Sequence, residues 1–95
     1  MIIVTGTATA SDGNYDALLA AARAHVERSR SEEGCIAHEV FRSVEDPNQL
    51  FFYERWRDRA ALEVHFSQPG SLAFVAALGD LVAVEPTLTV VEAAE

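Results

Sequence analysis

The sequence predicts an α+β domain of the ferredoxin-like type, with the element order βαββαβ and an antiparallel sheet. Three observations support this fold. Alternating β-branched residues occur near both ends of the chain, two stretches of helical apolar spacing lie between them, and a proline-containing turn joins two strand-like segments in the middle. We expect a single domain over residues 1–95, since a chain of this length fits one domain.

The first strand and the first helix follow from the spacing of apolar residues. Met1–Ala10 has the alternation of a strand, and Ser11–Asn14 breaks it with side chains suited to helix capping. A helix is predicted over Tyr15–Arg30, where the apolar residues at helical spacing are Tyr15, Leu18, Leu19, Ala22 and Val26. His25 lies near the polar edge of this helix, so we expect it to be solvated.

A hairpin is predicted in the middle of the chain. Its strands are Cys35–Ser43 and Leu50–Arg57, and the turn between them, Glu45–Asn48, contains a proline that fixes φ. With the turn at the centre of the hairpin, His38 and Glu54 lie opposite each other, either as a pair in a pocket or as a structural hydrogen bond. A register slip would make them diagonal neighbours instead.

The second helical region contains a break. Asp58 is the expected N-cap of its first part, where one face carries Ala61, Leu62, His65 and Phe66. Pro69-Gly70 stops or kinks the helix, and Ser71 is the expected cap of a continuation with the apolar stripe Leu72, Val75, Leu78 and Val82. Thr87–Val91 then alternates as the last strand.

Both faces of the hairpin are apolar, which predicts a partner for the sheet. The inward residues are Ile36, His38, Val40, Leu50, Phe52 and Trp56. The opposite face carries Phe41, Phe51 and Tyr53. Right-handed crossovers place both helices on one face of the sheet, so this opposite face would be bare in a monomer. We therefore expect a two-fold homodimer that packs sheet against sheet.

Charge and cysteine content exclude several classes of partner. The net charge of −8 repels phosphate backbones, so we expect neither nucleic acid nor an anionic membrane as a partner. Cys35 is the one cysteine, so it forms no internal disulfide, and a cytoplasmic location fits. The three histidines show no metal-ligand spacing of the HxH or HxxxH kind, and we predict no cofactor.

Several motifs together resemble the antibiotic biosynthesis monooxygenase (ABM) domain family. The matching segments are Glu32–Cys35 (Glu-Glu-Gly-Cys), Asp46-Pro47, Glu54–Trp56, Ala61-Leu62 and His65. The resemblance implies a dimeric α+β barrel of ferredoxin-like subunits. Some members of this family oxidise aromatic polyketides or quinols with neither metal nor flavin, whereas relatives degrade haem or isomerise small signalling molecules.

The resemblance also implies roles for particular residues. Trp56 matches the pocket tryptophan, His65 matches the helix histidine beside it, and His38 stands where many relatives have tyrosine. Two positions depart from the pattern. Phe52 stands where some oxygenating members have asparagine, and Gly70 where many relatives have a second histidine. We therefore expect fewer polar groups in this pocket than in those members.

The resulting hypothesis is a cofactor-independent monooxygenase acting on a small electron-rich aromatic. His65 would be the general base, Trp56 and Phe52 the stacking wall, and His38 the donor to the developing oxyanion. The other expected substrate-binding residues are Glu54, Ile36, Leu62 and Phe66. Core packing is the structural alternative for each of these side chains.

Two alternative functions stay open on the same residues. His65 could be the axial ligand of a haem or of a metal ion, as in the haem-degrading relatives. The protein could also bind a small aromatic ligand without catalysis, which the departures at Phe52 and Gly70 favour.

Overall fold

A computed structural model describes residues 1–94 of the chain. These residues form four strands and three helices, in the order β1 (Ile2–Thr9), α1 (Tyr15–Ser29), β2 (Cys35–Arg42), β3 (Gln49–Trp56), α2 (Arg59–Ser67), α3 (Pro69–Leu81) and β4 (Thr87–Glu92). The predicted βαββαβ order is confirmed, with the second helical region divided into α2 and α3. Within residues 1–94, no helix is both long enough and apolar enough to cross a membrane.

The strands form one antiparallel sheet in the order β2-β3-β1-β4. Burial alternates along β1 and β3, because one face of the sheet packs against the helices and the other does not. The predicted hairpin register is confirmed, since His38 lies directly opposite Glu54.

A β-bulge interrupts the start of β2. Cys35 pairs with Trp56 and Ala37 pairs with Arg55, so Ile36 is an extra residue on its strand. The bulge breaks the alternation of side chains, and Ile36 is 50% exposed whereas His38 has no exposed surface. The prediction that Ile36 and His38 share a face is therefore wrong.

The core consists of two adjoining clusters on the helix-facing side of the sheet. One joins α1 to the middle of the sheet through Ala8, Ala10, Leu18, Ala22, Val26, Leu50 and Phe52. The other packs Trp56 and Leu62 with Ile2, Val4 and Ala61. Burying one such large apolar side chain typically contributes about 1.5–3 kcal/mol, so these clusters are the main source of the stability of the fold.

The start of α2 is confirmed at the predicted cap, and the start of α3 differs from the prediction. The Asp58 side chain accepts a hydrogen bond of 2.9 Å from the Ala61 backbone N–H. This bond, together with the nearby Arg57, lowers the pKa of Asp58. Helix α3 begins at Pro69, whose fixed φ suits the first helical position. The expected cap at Ser71 is wrong, because Ser71 lies inside α3 and is buried.

The face of the sheet opposite the helices is partly apolar. Phe41 and Phe51 on this face are 49% and 38% exposed, and Tyr53 is half-buried between its neighbours. Polar residues of β1 and β4 continue the face, where the Thr7 and Thr87 hydroxyls lie 2.7 Å apart in a hydrogen bond.

Candidate active site

A cavity of about 260 Å³ lies between the three helices and the helix-facing side of the sheet. Most of its lining is apolar, from Phe52, Phe66, Phe74, Val75, Leu78, Pro86 and Leu88. Its polar side chains are His25, Glu54, His65 and Ser71. An apolar recess with a few convergent polar groups is the usual form of a small-molecule site.

His65 is held on α2 by a carboxylate that lies outside the cavity lining. Its Nδ1 atom is 2.9 Å from Oε1 of Glu32, and its side chain is 2% exposed. A carboxylate can only accept a hydrogen bond, so Nδ1 of the neutral imidazole carries the proton. The Nε2 lone pair is then free, and this atom lies 3.9 Å from Oε1 of Glu54. His65 therefore presents a basic nitrogen to a ligand.

Glu54 is the polar centre of the site. Its Oε1 atom accepts a 2.9 Å hydrogen bond from the Trp56 indole N–H and lies 3.3 Å from Nε2 of His38. The His38 contact is within ion-pair distance but is not aligned as a hydrogen bond. Burial alone would raise the pKa of Glu54, but the proximity of His38, the indole bond and the proximity of His65 lower this pKa overall. The site thus keeps a negative charge beside His65.

His25 also lines the cavity, and its burial differs from the prediction. It is 6% exposed rather than solvated, because it shares the buried face of α1 with Leu18, Ala22 and Ser29. These positions differ from it by three, four or seven residues, and this spacing was the available sequence signal. The His25 ring stacks on Phe74, with 4.3 Å between ring centroids and an angle of 10° between ring planes.

The charge state of His25 is set by burial and by its cationic neighbour. Burial lowers the pKa of His25 to about 3, and the proximity of His38, His65 and Arg28 acts in the same direction. The Arg28 guanidinium, one helical turn further along α1, donates a hydrogen bond to Nδ1 of His25. His25 is therefore neutral at physiological pH.

The three histidines converge although they are far apart in sequence. The ring centroids of His25, His38 and His65 are 5.2–5.5 Å apart, and one nitrogen of each ring lies within 4.8 Å of one nitrogen of the others. Such a cluster has the residue types of a metal site. The permanent positive charge of Arg28 opposes the binding of a cation at His25, whereas the Glu54 carboxylate beside His38 and His65 favours one. The largely apolar lining also suits a neutral organic ligand.

Four of the predicted site residues line the cavity, namely His65, Phe52, Glu54 and Phe66. Trp56 and His38 lie behind this lining, and both are completely buried. The Trp56 ring centroid is 4.5 Å from that of His65, so the indole supports His65 instead of forming the cavity surface. Direct stacking of a ligand therefore falls to the phenylalanines of the lining.

The other two predicted residues lie away from the cavity surface. Leu62 is a core residue packed with Trp56, and Ile36 projects outward at the β-bulge. His25 and Ser71 add polar atoms to the lining beyond the residues that the sequence predicted. Gly70 contributes space, because a Cβ at this position would collide with the Arg28 guanidinium.

Comparison with known proteins places these features in a family. A sequence model described as antibiotic biosynthesis monooxygenase matches residues 1–77. The uncharacterized protein sll1783 of Synechocystis is 33% identical over 94 residues, which is 99% of this chain. This chain spans only 64% of the length of that protein. "Putative monooxygenase Rv0793" of Mycobacterium tuberculosis is 34% identical over 74 residues, or 78% of this chain and 72% of that protein.

Solved structures have the same fold over nearly the whole chain. The structure of Rv0793 superposes with a TM-score of 0.92 at 26% identity, covering 99% of this chain and 95% of that one. A Deinococcus radiodurans protein of the same family description superposes with a TM-score of 0.95 at 27% identity, covering 100% of this chain and 94% of that one.

Proposed function

The chain belongs to the antibiotic biosynthesis monooxygenase family, and on that premise we propose that it oxidises a small electron-rich phenol or quinol with molecular oxygen and without a cofactor. One observation carries the proposal. The free Nε2 atom of His65, with Glu32 behind its ring and Glu54 beside it, belongs to a largely apolar cavity. A base in such a cavity is what removal of a phenolic proton needs.

The first step is proton transfer from the substrate hydroxyl to Nε2 of His65. The imidazolium that forms is stabilised by the Glu32 carboxylate at Nδ1 and by the Glu54 carboxylate 3.9 Å from Nε2. The phenylalanines of the lining hold the ring and keep water away from the phenolate. The phenolate is thereby kept electron-rich.

The oxidation follows from the phenolate and O₂ alone. The phenolate passes one electron to O₂, and the two radicals combine at a ring carbon that bears hydrogen, which forms a C–O bond. Loss of the ring proton and cleavage of the O–O bond leave one oxygen as a new carbonyl. The second oxygen leaves as water, taking the proton held by His65 and the ring proton. The substrate loses four electrons and O₂ gains four, so phenol plus O₂ gives quinone plus water.

Oxygen uptake tests this function directly. Protein treated with a chelator is supplied with 1-naphthol or a naphthohydroquinone, and O₂ consumption and product mass are measured with ¹⁸O₂. We expect uptake above the uncatalysed rate, one labelled oxygen in each quinone formed from 1-naphthol, and a loss of about 100- to 10,000-fold in the His65→Gln variant. Calorimetric binding of these compounds with no uptake would support a non-catalytic aromatic-binding protein instead. Uptake that disappears with the chelator and returns with a metal ion would support the metal alternative.

We also propose a second copy of this chain as the partner of the open sheet face. Phe41, Phe51 and Tyr53 form a contiguous apolar set on neighbouring strands, and an identical face can cover it by two-fold symmetry. The other proposed binding partner is the small aromatic substrate.

The single cysteine supports a reducing compartment, and we propose a cytoplasmic location. Burial raises the pKa of the Cys35 thiol, and the nearby Glu54 and Glu32 raise it further. The thiol is therefore a poor nucleophile.

A further inference from the structure

Two side chains near the cavity have no part in the reaction described above. His25 and Arg28 lie one turn apart on α1, and an Nη2–H of Arg28 donates to Nδ1 of His25. A guanidinium has donors only and stays protonated in proteins. Nδ1 of His25 must therefore accept, and the proton of the neutral ring must lie on Nε2.

His65 has the opposite arrangement, because its Nδ1 atom faces an acceptor. The Glu32 carboxylate accepts a hydrogen bond from the Nδ1–H of His65, so the lone pair of the neutral ring lies on Nε2. The centroids of the His25 and His65 rings are 5.2 Å apart, and both residues line the cavity. One nitrogen that donates thus neighbours one that accepts.

We infer that Arg28 and Glu32 are positioning residues that fix opposite tautomers in His25 and His65, so that the cavity presents an N–H donor beside a basic nitrogen. Packing holds the donor in place. The His25 ring lies flat on Phe74, 4.3 Å between centroids, and Arg28 occupies the space that the missing side chain of Gly70 leaves.

The donor nitrogen of His25 beside the basic nitrogen of His65 assigns the role of oxyanion donor to His25. His38, the candidate from the sequence, has no exposed surface and does not line the cavity. His25 lines it and can donate to the substrate oxygen next to the one from which His65 removes a proton, so its N–H lies beside the negative charge that develops. Donors fixed before the reaction stabilise such charge without reorganisation.

The geometry also narrows the substrate class. Adjacent donor and acceptor nitrogens fit two oxygens on neighbouring ring carbons, one giving its proton to His65 and the other accepting from His25. In an ortho-dioxygenated ring both oxygens leave the same edge of the ring and can face two neighbouring nitrogens, whereas a para-hydroquinone directs its two C–O bonds in opposite directions. We therefore assign catechol-like ortho-dioxygenated aromatics to this cavity. This assignment rests on the proposed function only in taking the cavity as the substrate site.

The tautomers can be measured in the ligand-free protein by long-range ¹H–¹⁵N NMR of labelled histidine at neutral pH. We expect a protonated Nε2 with a bare Nδ1 in His25, and the reverse in His65. Arg28→Met and Gly70→Ala should both shift His25 away from this tautomer, since the first removes the donor and the second displaces it by collision. Arg23→Met, an exposed change on the same helix, should leave both signals unchanged. A protonated Nδ1 in wild-type His25 would overturn the inference.

Anaerobic binding tests the substrate class without turnover. Catechol and hydroquinone are positional isomers. The difference between their binding free energies, measured by calorimetry, therefore reports the one additional hydrogen bond that catechol makes. We expect catechol to bind about 10-fold more tightly, and the difference to shrink in Arg28→Met. Equal affinities in the wild type would overturn the assignment of substrate class. These measurements are independent of O₂ uptake, so an inactive protein with the expected tautomers would refute the proposed function and leave this inference standing.

Discussion

Oε1 of Glu32 lies 2.9 Å from Nδ1 of His65, although the two residues belong to different parts of the chain. Glu32 follows α1, and His65 lies in the last turn of α2. Gly34 allows this approach, because the chain turns there with φ of 85° and passes directly against Ala61. The turn before β2 therefore positions the carboxylate that sets the orientation of the proposed base.

Replacing Glu32 by glutamine should reduce turnover more than binding. The variant keeps the shape of the side chain but removes the charge that stabilises the imidazolium, so we expect kcat to fall about 10- to 100-fold with little change in KM. Steady-state O₂ uptake measures both constants. Glu33→Gln is the matched control, because the Glu33 side chain is 88% exposed and pairs at 3.6 Å with Arg57 on the surface. Equal losses in the two variants would contradict a specific role for Glu32.

The low pKa of His25 predicts that acid destabilises the fold. In the unfolded chain this residue takes up a proton near pH 6.5, whereas in the folded chain it does so only near pH 3. Unfolding therefore takes up a proton between these values, and the free energy of unfolding falls as the pH falls, by up to about 1.4 kcal/mol per pH unit. Urea unfolding of His25→Gln should show a shallower slope between pH 6.5 and pH 4.5. Parallel curves for variant and wild type would rule out this contribution.

A charge on the open sheet face should dissociate the proposed homodimer. Light scattering of the wild type should give about twice the 10.3 kDa chain mass. Phe51→Glu places a charge where the partner would exclude water, so we expect a monomer or an unfolded chain. Val44→Glu adds the same charge in the β2–β3 turn, at a fully exposed residue, and should remain dimeric. A monomeric wild type at micromolar concentration would refute the two-fold assembly.

Two glycine substitutions should have opposite effects on stability. Gly34→Ala puts a Cβ on a residue with positive φ and in collision with Ala61, so we expect a loss of about 1–3 kcal/mol. Gly79 lies inside α3 with open space around it, so Gly79→Ala should stabilise by about 0.5–1 kcal/mol. Thermal unfolding followed by circular dichroism measures both. A destabilised Gly79→Ala would show that this face of α3 is covered in the native protein.

Local patterns predicted the fold well, because the spacing of apolar residues and the positions of the turn residues indicate the same order of strands and helices. The hairpin turn also set the register that places His38 opposite Glu54. Ile36 was misplaced because strand alternation does not reveal a bulge. His25 was placed at the polar edge of α1 although its spacing from Leu18 and Ala22 matches the buried face. The Phe74 ring of α3 that covers it could not be foreseen from α1 alone. Contacts between distant elements have no local sequence signal, and they decide which polar groups enter the cavity.

Three side chains of the site meet at one atom, Oε1 of Glu54, and this limits how the site can change by substitution. The same atom is 2.9 Å from the Trp56 indole nitrogen, 3.3 Å from Nε2 of His38 and 3.9 Å from Nε2 of His65. A substitution at any one of these positions alters the electrostatic environment of the others, so their energetic effects will not add. We therefore expect Glu54, Trp56, His38 and His65 to form an epistatic unit, in which the effect of an exchange at one position depends on the residues at the other three.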